Sequence, residues 1–351
     1  MHIFLDESGA FIPAEPPRSK VSCVAALAIP GSQLGHLIYD FDRWRESEFG
    51  AVCEIKGASL SESHVAQVID IAARYDVLFD ACCVDAGAHT PRHVETFKLA
   101  QAAKLEASVG ADNLPSLREE IARYATRLKG LSNQLFIQWF CAIVLHQNLL
   151  EQLINYYGLV HPEELASFVW RIDPKAKTIT AFEELWSDLS ALFLSNIFAQ
   201  QPMALIPGTD LSHLDAAFPA ETAAVAEALA RVDPALRGRA RSTGDITSLI
   251  TRDRAYEEST SSSGIQLVDI LAAALTRACN GSLQQEGWEQ LGKLTIRRNP
   301  QTLRLIALSE SAPSPFRRVI SVGSWATVLA RLHAGARAMP IPECHRSRFR
   351  V

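Results

Sequence analysis

The chain has 351 residues, of which 48 % are hydrophobic and 21 % charged, and its formal net charge is −5. Such a composition suits a well-packed globular protein, one large domain or a core with substantial insertions. The acidic balance excludes attraction of nucleic acid by the molecule as a whole, so any such binding must come from local basic patches or through metal ions.

The seven cysteines (Cys23, Cys53, Cys82, Cys83, Cys141, Cys279, Cys344) contain no C-x-x-C pair. Their odd, scattered count implies reduced thiols in a cytoplasmic protein rather than a disulfide framework. Asp6 and Glu7 interrupt the N-terminal apolar run, so no signal peptide is expected. The strongest apolar stretch, Leu135 to Leu145, is broken by Gln138 and is shorter than the roughly 20 residues a membrane helix needs. It reads as a buried helix, and no membrane partner is expected.

In chain order, His2 to Leu5 reads as a short strand running into Asp6, Glu7 and a Ser-Gly turn that Ser8 shapes. Lys20 to Ile29 is a buried strand ended by Pro30-Gly31, which gives the sheet an antiparallel start. Leu34, Leu37, Ile38 and Phe41 then share one helical face. Val52 to Gly57 is strand-like, carries Glu54 and Lys56, and precedes a helix capped by Ser61 or Ser63. Val77 to Val84 is a further strand, in which adjacent Cys82 and Cys83 point to opposite faces as packing residues.

The block from about Thr90 to Gly158 reads as wholly helical. Pro115 suits a first helical turn, Leu117, Ile121, Tyr124 and Leu128 form a stripe, and Gly130 terminates it. Strand pattern returns at Ser167 to Asp173 and stops at Pro174. Thr180 to Glu183 has capping-box spacing, and an alanine-rich helix is expected at about Ala220 to Val232. A well-defined helix runs from Gly264 to Gly281, followed by a mixed tail that ends in arginines.

Four acids stand at element ends or on a helix facing the sheet: Asp6, Glu54, Asp173 and Asp269. Carboxylates from separate elements can hold two divalent cations about 4 Å apart, activate a water and stabilise the leaving oxygen of a phosphodiester. Magnesium or manganese suits such oxygen ligands. Asp269 interrupts an apolar helix and shares its face with Gln266 and Ala273, so a polar strip faces outward or into a cleft.

Three blocks, F-L-D-E-S-G (4–9), E-I-K-G (54–57) and G-I-Q-L-V-D-I-L-A (264–272), resemble in order the signatures of the domain-of-unknown-function 3800 family. That family is grouped with ribonuclease H-like folds. The resemblance implies an α/β protein with a mixed sheet flanked by helices, and acids on the first strand (Asp6), an internal strand (Glu54) and a late helix (Asp269). Asp173 is added from its place at a strand end. The resemblance divides the chain into a ribonuclease H-like domain at 1–281, with a helical insertion at about 90–158, and a C-terminal helical and basic extension at 282–351. Val268 stands where the family usually has Ala. The Ser-rich run before Gly264 replaces a more usual Asp-Ser-Lys, for which Asp253, Glu257 or Glu258 are the available substitutes.

The expected activity is a metal-dependent phosphodiesterase, a nuclease that cleaves RNA or DNA by in-line attack of metal-bound water. Family context implies a role in defence against foreign nucleic acid or in mobile-element biology. Asp6, Glu54, Asp173 and Asp269 would hold the metals, with Glu7 ranked below Asp6 because adjacent strand residues diverge. Lys56 would assist at phosphate, although a Lys beside a Glu is more often a surface pair. Arg237, Arg239, Arg241, Arg252 and Arg254 form a basic cluster that could hold a phosphate backbone, as could Arg346, Arg348 and Arg350; solvated loop arginines are the commoner explanation. His89 and His93 are better read as exposed helix-start histidines than as a zinc site. The alternative is a non-catalytic ribonuclease H-like module that binds a partner protein, or a second copy of itself, through helices such as Leu135 to Tyr157. A third option is a hydrolase of nucleotides or other small phosphates.

Overall fold

A computed structural model describes residues 1–109, 115–174, 203–219, 246–308 and 324–340, with Leu194, Ile197 and Phe198. Its strands are β1 (His2–Ser8), β2 (Val21–Ile29), β3 (Leu78–Asp85), β4 (Val169–Ile172), β5 (Arg254–Tyr256) and β6 (Arg304–Ile306). They form one mixed sheet in the order β5-β4-β1-β2-β3-β6. The first three pair antiparallel, whereas β4 beside β1, β5 beside β4 and β6 beside β3 are parallel. The longer helices are α1 (Gly31–Phe49), α2 (Glu62–Ala72), α3 (Pro91–Ala107), α4 (Pro115–Gly130), α5 (Asn133–Val160), α6 (Ser263–Cys279) and α7 (Ser324–Gly335).

All nine residues of β2 are buried, as expected for a continuous apolar run covered on both faces. Alternation divides the core in two. Ile3, Leu5, Val24, Ala26, Leu78 and Cys82 pack on the side of α5. Phe4, Cys23, Ala25, Leu27, Phe79 and Cys83 pack on the side of α2 and α6. The helix starts follow their capping chemistry: Ser61, Thr90, Ser132 and Ser262 each accept a backbone N–H from the first turn. Ser8 is the last residue of β1, paired with Cys23, and the turn begins after it.

The structure corrects several expectations. Val52 to Gly57 is not a strand but irregular backbone, followed by a 3-10 turn at Gly57–Ser59. Its polar backbone is satisfied by side chains of α6 rather than by a sheet ladder. Helix α5 does not project as a docking element: every residue from Phe136 to Leu150 is buried, and α5 supplies the layer over β2 and β3. Residues beyond 281 contribute β6 to the sheet edge, and α7 packs beside α6. Thr180 to Glu183 and Ala220 to Val232 lie outside the described residues.

One buried ion pair belongs to the α5 side of the sheet. Asp80 of β3 is 1 % exposed; it accepts from Gln152 at 2.6 Å and from Arg298 at 3.0 and 3.2 Å. A buried carboxylate of this kind needs such partners, because its desolvation is expensive.

Candidate active site

Asp6 occupies β1 opposite Ala25, and Ala25 belongs to the α6-side core, so Asp6 faces α6. β4 runs parallel to β1 with Ile172 beside Leu5, and the Asp173 amide donates to the Leu5 carbonyl at 3.1 Å. Asp173 is therefore the next residue along, level with Asp6 and turned to the same face. Parallel pairing thus delivers two carboxylates to one point at the carboxyl ends of neighbouring strands.

Helix α6 closes the pocket over them. Gly264 lies so close to Phe4 that an added Cβ would come within 2.3 Å of its ring, which lets the helix start lie directly on β1. Two turns of α6 then grip the Glu54 loop. Gln266 is 1 % exposed; its Nε2 donates to the carbonyls of Cys53 at 2.9 Å and Ser259 at 2.7 Å. Its Oε1 accepts from Arg45 at 3.1 Å and from the Ile55 amide at 3.4 Å. The backbone on both sides of Glu54 is thereby tied to one side chain. One turn on, Asp269 Oδ2 accepts the Gly57 amide at 2.8 Å, and Arg277 donates to the carbonyls of Gly57 at 3.0 Å and Leu60 at 2.7 Å. The polar strip of α6 faces this loop.

The electrostatics follow from crowding. Burial, and then the neighbouring charges of Asp269 and Glu54, raise the proton affinity of Asp173, against the pull of Lys56 and the Ser259 amide. Asp269 is likewise raised, first by burial, with Glu54 adding to it; the Gly57 amide, Lys56 and a side-chain hydrogen bond with Asp6 oppose the rise. Glu54 moves the other way: hydrogen bonds from Lys56 and then from Ser259 hold it below the usual carboxylate range. Lys56 pairs with Glu54 and donates to Ser259 Oγ at 3.2 Å, while Ser259 Oγ donates to the same Glu54 oxygen.

Asp6, Glu54, Asp173, Asp269 and Lys56 are thus brought together from β1, the 51–57 loop, the end of β4 and α6. Glu7 is not among them: it pairs with Val24, on the α5 side of the sheet. Asp253 and Glu257 form ion pairs with Arg171 instead, at 3.1 and 3.8 Å, and the Glu258 carbonyl accepts from Ser261. Arg252 donates to the Ala217 carbonyl at 2.8 Å and lies over Phe218. Arg254 of β5 pairs with Trp170, on the α5 side. Neither arginine forms a phosphate track beside the acids. Arg237, Arg239, Arg241, Arg346, Arg348 and Arg350 lie outside the described residues. His89 and His93 face each other with their Nδ1 atoms 3.4 Å apart at the Thr90-capped start of α3.

Sequence reasoning missed Ser259, and it placed Gln266 on the polar strip beside Asp269 without giving it a role. Ser259 sits in the Ser-rich run, where an acid was sought; its hydroxyl and amide serve Glu54 and Asp173 instead. The signal for Gln266 was its place one turn before Asp269 in an otherwise apolar helix.

Among the described residues, no three His, Cys, Asp or Glu side chains form a ready-made metal cage. The donor set itself suits a hard divalent cation: three of the acids, Glu54, Asp173 and Asp269, share one ammonium, and the fourth, Asp6, is in hydrogen-bond contact with Asp269. No family model matches the chain, and neither a curated protein nor a solved structure is detectably similar to it. Among the described residues no helix is long and apolar enough to cross a membrane.

Proposed function

We propose that this pocket binds magnesium or manganese and hydrolyses phosphodiester bonds of nucleic acid, on a sheet of ribonuclease H-like type related to the domain-of-unknown-function 3800 family. The observation that carries the reading is the convergence of acids from separate elements: Asp173 lies level with Asp6 through its amide's bond to the Leu5 carbonyl, and Asp269, on the helix over them, holds the Glu54 loop through the Gly57 amide. Two carboxyls brought together, as Asp6 and Asp269 are, can share a proton or a cation, and the charges around this pair are two further acids, Glu54 and Asp173, against the single ammonium of Lys56. The antiparallel β1-β2-β3 unit, with β4 and β5 added in parallel beside β1, supports the fold assignment.

A bound divalent ion would supply the electrophile that activates water and offsets charge on the phosphate. Asp6 and Asp269 would hold it, with Asp173 and Glu54 within electrostatic reach. Lys56 is 56 % exposed and would meet a phosphate oxygen at the pocket rim. Gln266 and Ser259 fix the Glu54 loop, and the burial of Asp269 limits water around the acids.

The test is cleavage of labelled RNA and DNA oligonucleotides, single- and double-stranded, with Mn²⁺, by wild type and Asp6→Asn. The variant should lose roughly 100-fold or more, since even the outer partners of metal ligands are worth 10–100-fold. Mn²⁺-independent or undiminished cleavage by the variant would sink the proposal. Hydrolysis of nucleotides without oligonucleotide cleavage would move it to small phosphates. A scaffold role, with no cleavage, would have to use a surface other than α5, which is buried.

A further inference from the structure

We infer that Lys56 is the pocket's internal counterion, and that an entering divalent cation expels it from Glu54 and frees it for an incoming phosphate. This rests on the metal-site reading above. One oxygen of Glu54, Oε1, already takes two donors, the Lys56 ammonium and the Ser259 hydroxyl. A carboxylate oxygen has two lone pairs, so this one is filled while Lys56 remains, and Glu54 could then meet a cation only through its other oxygen, with the ammonium beside it. The same ammonium lies within electrostatic reach of Asp173 and Asp269. A second cation placed among these acids would therefore sit beside a like charge.

Lys56 is also built to leave. Its side chain is more than half exposed, whereas Glu54 is only 24 % exposed and is fixed through its backbone neighbours by Gln266. Four methylenes let the ammonium swing into water at little cost, and Ser259 remains behind to hold Glu54. Displacement would turn a positive charge away from Glu54 and toward the solvent side, where substrate arrives. The chain thus carries its own competitor for the cation, which keeps the acids compensated until the ion binds.

The experiment is calorimetric titration of Mn²⁺ into the full chain, as wild type, Lys56→Met, Lys56→Gln and Lys56→Arg, at one pH and ionic strength. Removing the ammonium should tighten Mn²⁺ binding roughly tenfold in both neutral variants, equivalent to about 1.4 kcal/mol, while Lys56→Arg stays near wild type. Equal or weaker binding by both neutral variants, with wild type binding Mn²⁺, overturns this inference alone and leaves the metal site standing. If neither wild type nor the neutral variants bind Mn²⁺, the inference and the metal reading fall together.

Discussion

The backbone amide of Gly57 donates to Oδ2 of Asp269 at 2.8 Å, across 212 residues of chain. That bond explains why an acid stands in an otherwise apolar helix. It gives the half-buried carboxylate a donor, and it ties the loop that carries Glu54 and Lys56 to the helix closing the pocket. An Asn at position 269 would keep an acceptor for this amide and lose the charge, which makes the position suitable for separating function from stability.

Burial raises the folded-state pKa of Asp269 above its unfolded value. The folded protein therefore binds that proton more tightly, and the resulting stability is complete below the ordinary aspartate pKa and lost as pH rises through the folded value. Asp173 behaves in the same way and is itself raised partly by the Asp269 charge, so neutralising position 269 relieves both; the depressed Glu54 acts in the opposite direction. Asp269→Asn should thus be more stable than wild type at pH 7, with the gap closing as the pH falls toward about 4. Urea midpoints at several pH values measure it. A variant less stable than wild type at pH 7 would contradict the assignment of Asp269 as a charge held against its own preference. In cleavage assays the same variant should be inactive, the usual exchange between a strained site and stability.

Gly57→Ala tests the closeness of loop and helix. A Cβ there would lie 2.6 Å from the Ile270 Cα and 2.9 Å from both the Ala273 Cβ and the Asp269 carbonyl. Backbone cannot swing aside, so the loop must lift. We expect a loss of about 1–3 kcal/mol by denaturant unfolding and weaker Mn²⁺ binding, because Glu54 moves with the loop. Unchanged values for both would show that the loop tolerates another path.

Gln266→Leu removes an amide that serves Cys53, Ile55, Ser259 and Arg45. Leaving buried carbonyls unpaired costs about 1–3 kcal/mol, and the segment around residue 54 should lose amide protection in hydrogen exchange while β2 keeps it. Protection lost equally in both would mean global destabilisation instead.

Arg298→Met tests the buried pair away from the pocket. Burial already raises the Asp80 pKa, with Arg298 as the leading opposing charge. Removing one partner of a buried pair typically costs about 3–5 kcal/mol, so a change below about 1 kcal/mol in the urea midpoint analysis would show that Gln152, the Ala81 amide and the charge of Arg304 suffice to compensate Asp80.

Strands and helices were legible wherever burial is periodic and local. β2 is a run of nine buried residues, and Ser61, one of the two cap candidates, accepts the first-turn amide as side-chain chemistry requires. The acids could be nominated because a carboxylate at a strand end, or in an apolar helix, departs from its surroundings. Val52 to Gly57 was misread because its alternating composition matches a strand, while what fixes it is Gln266, 213 residues beyond Cys53. Glu7 was nominated beside Asp6, and the pleat sends the two to opposite faces.

By itself the sequence determined an α/β chain with a long buried helix and a short set of acids worth watching, because side-chain periodicity and capping act over a few residues. Only the tertiary structure decided which acids meet. Parallel pairing of β4 with β1 sets Asp173 level with Asp6, and α6 brings Asp269 and the Glu54 loop to them. The physical reason is that pairing register and helix packing are set by contacts between residues far apart in the chain, and no local pattern encodes that meeting point.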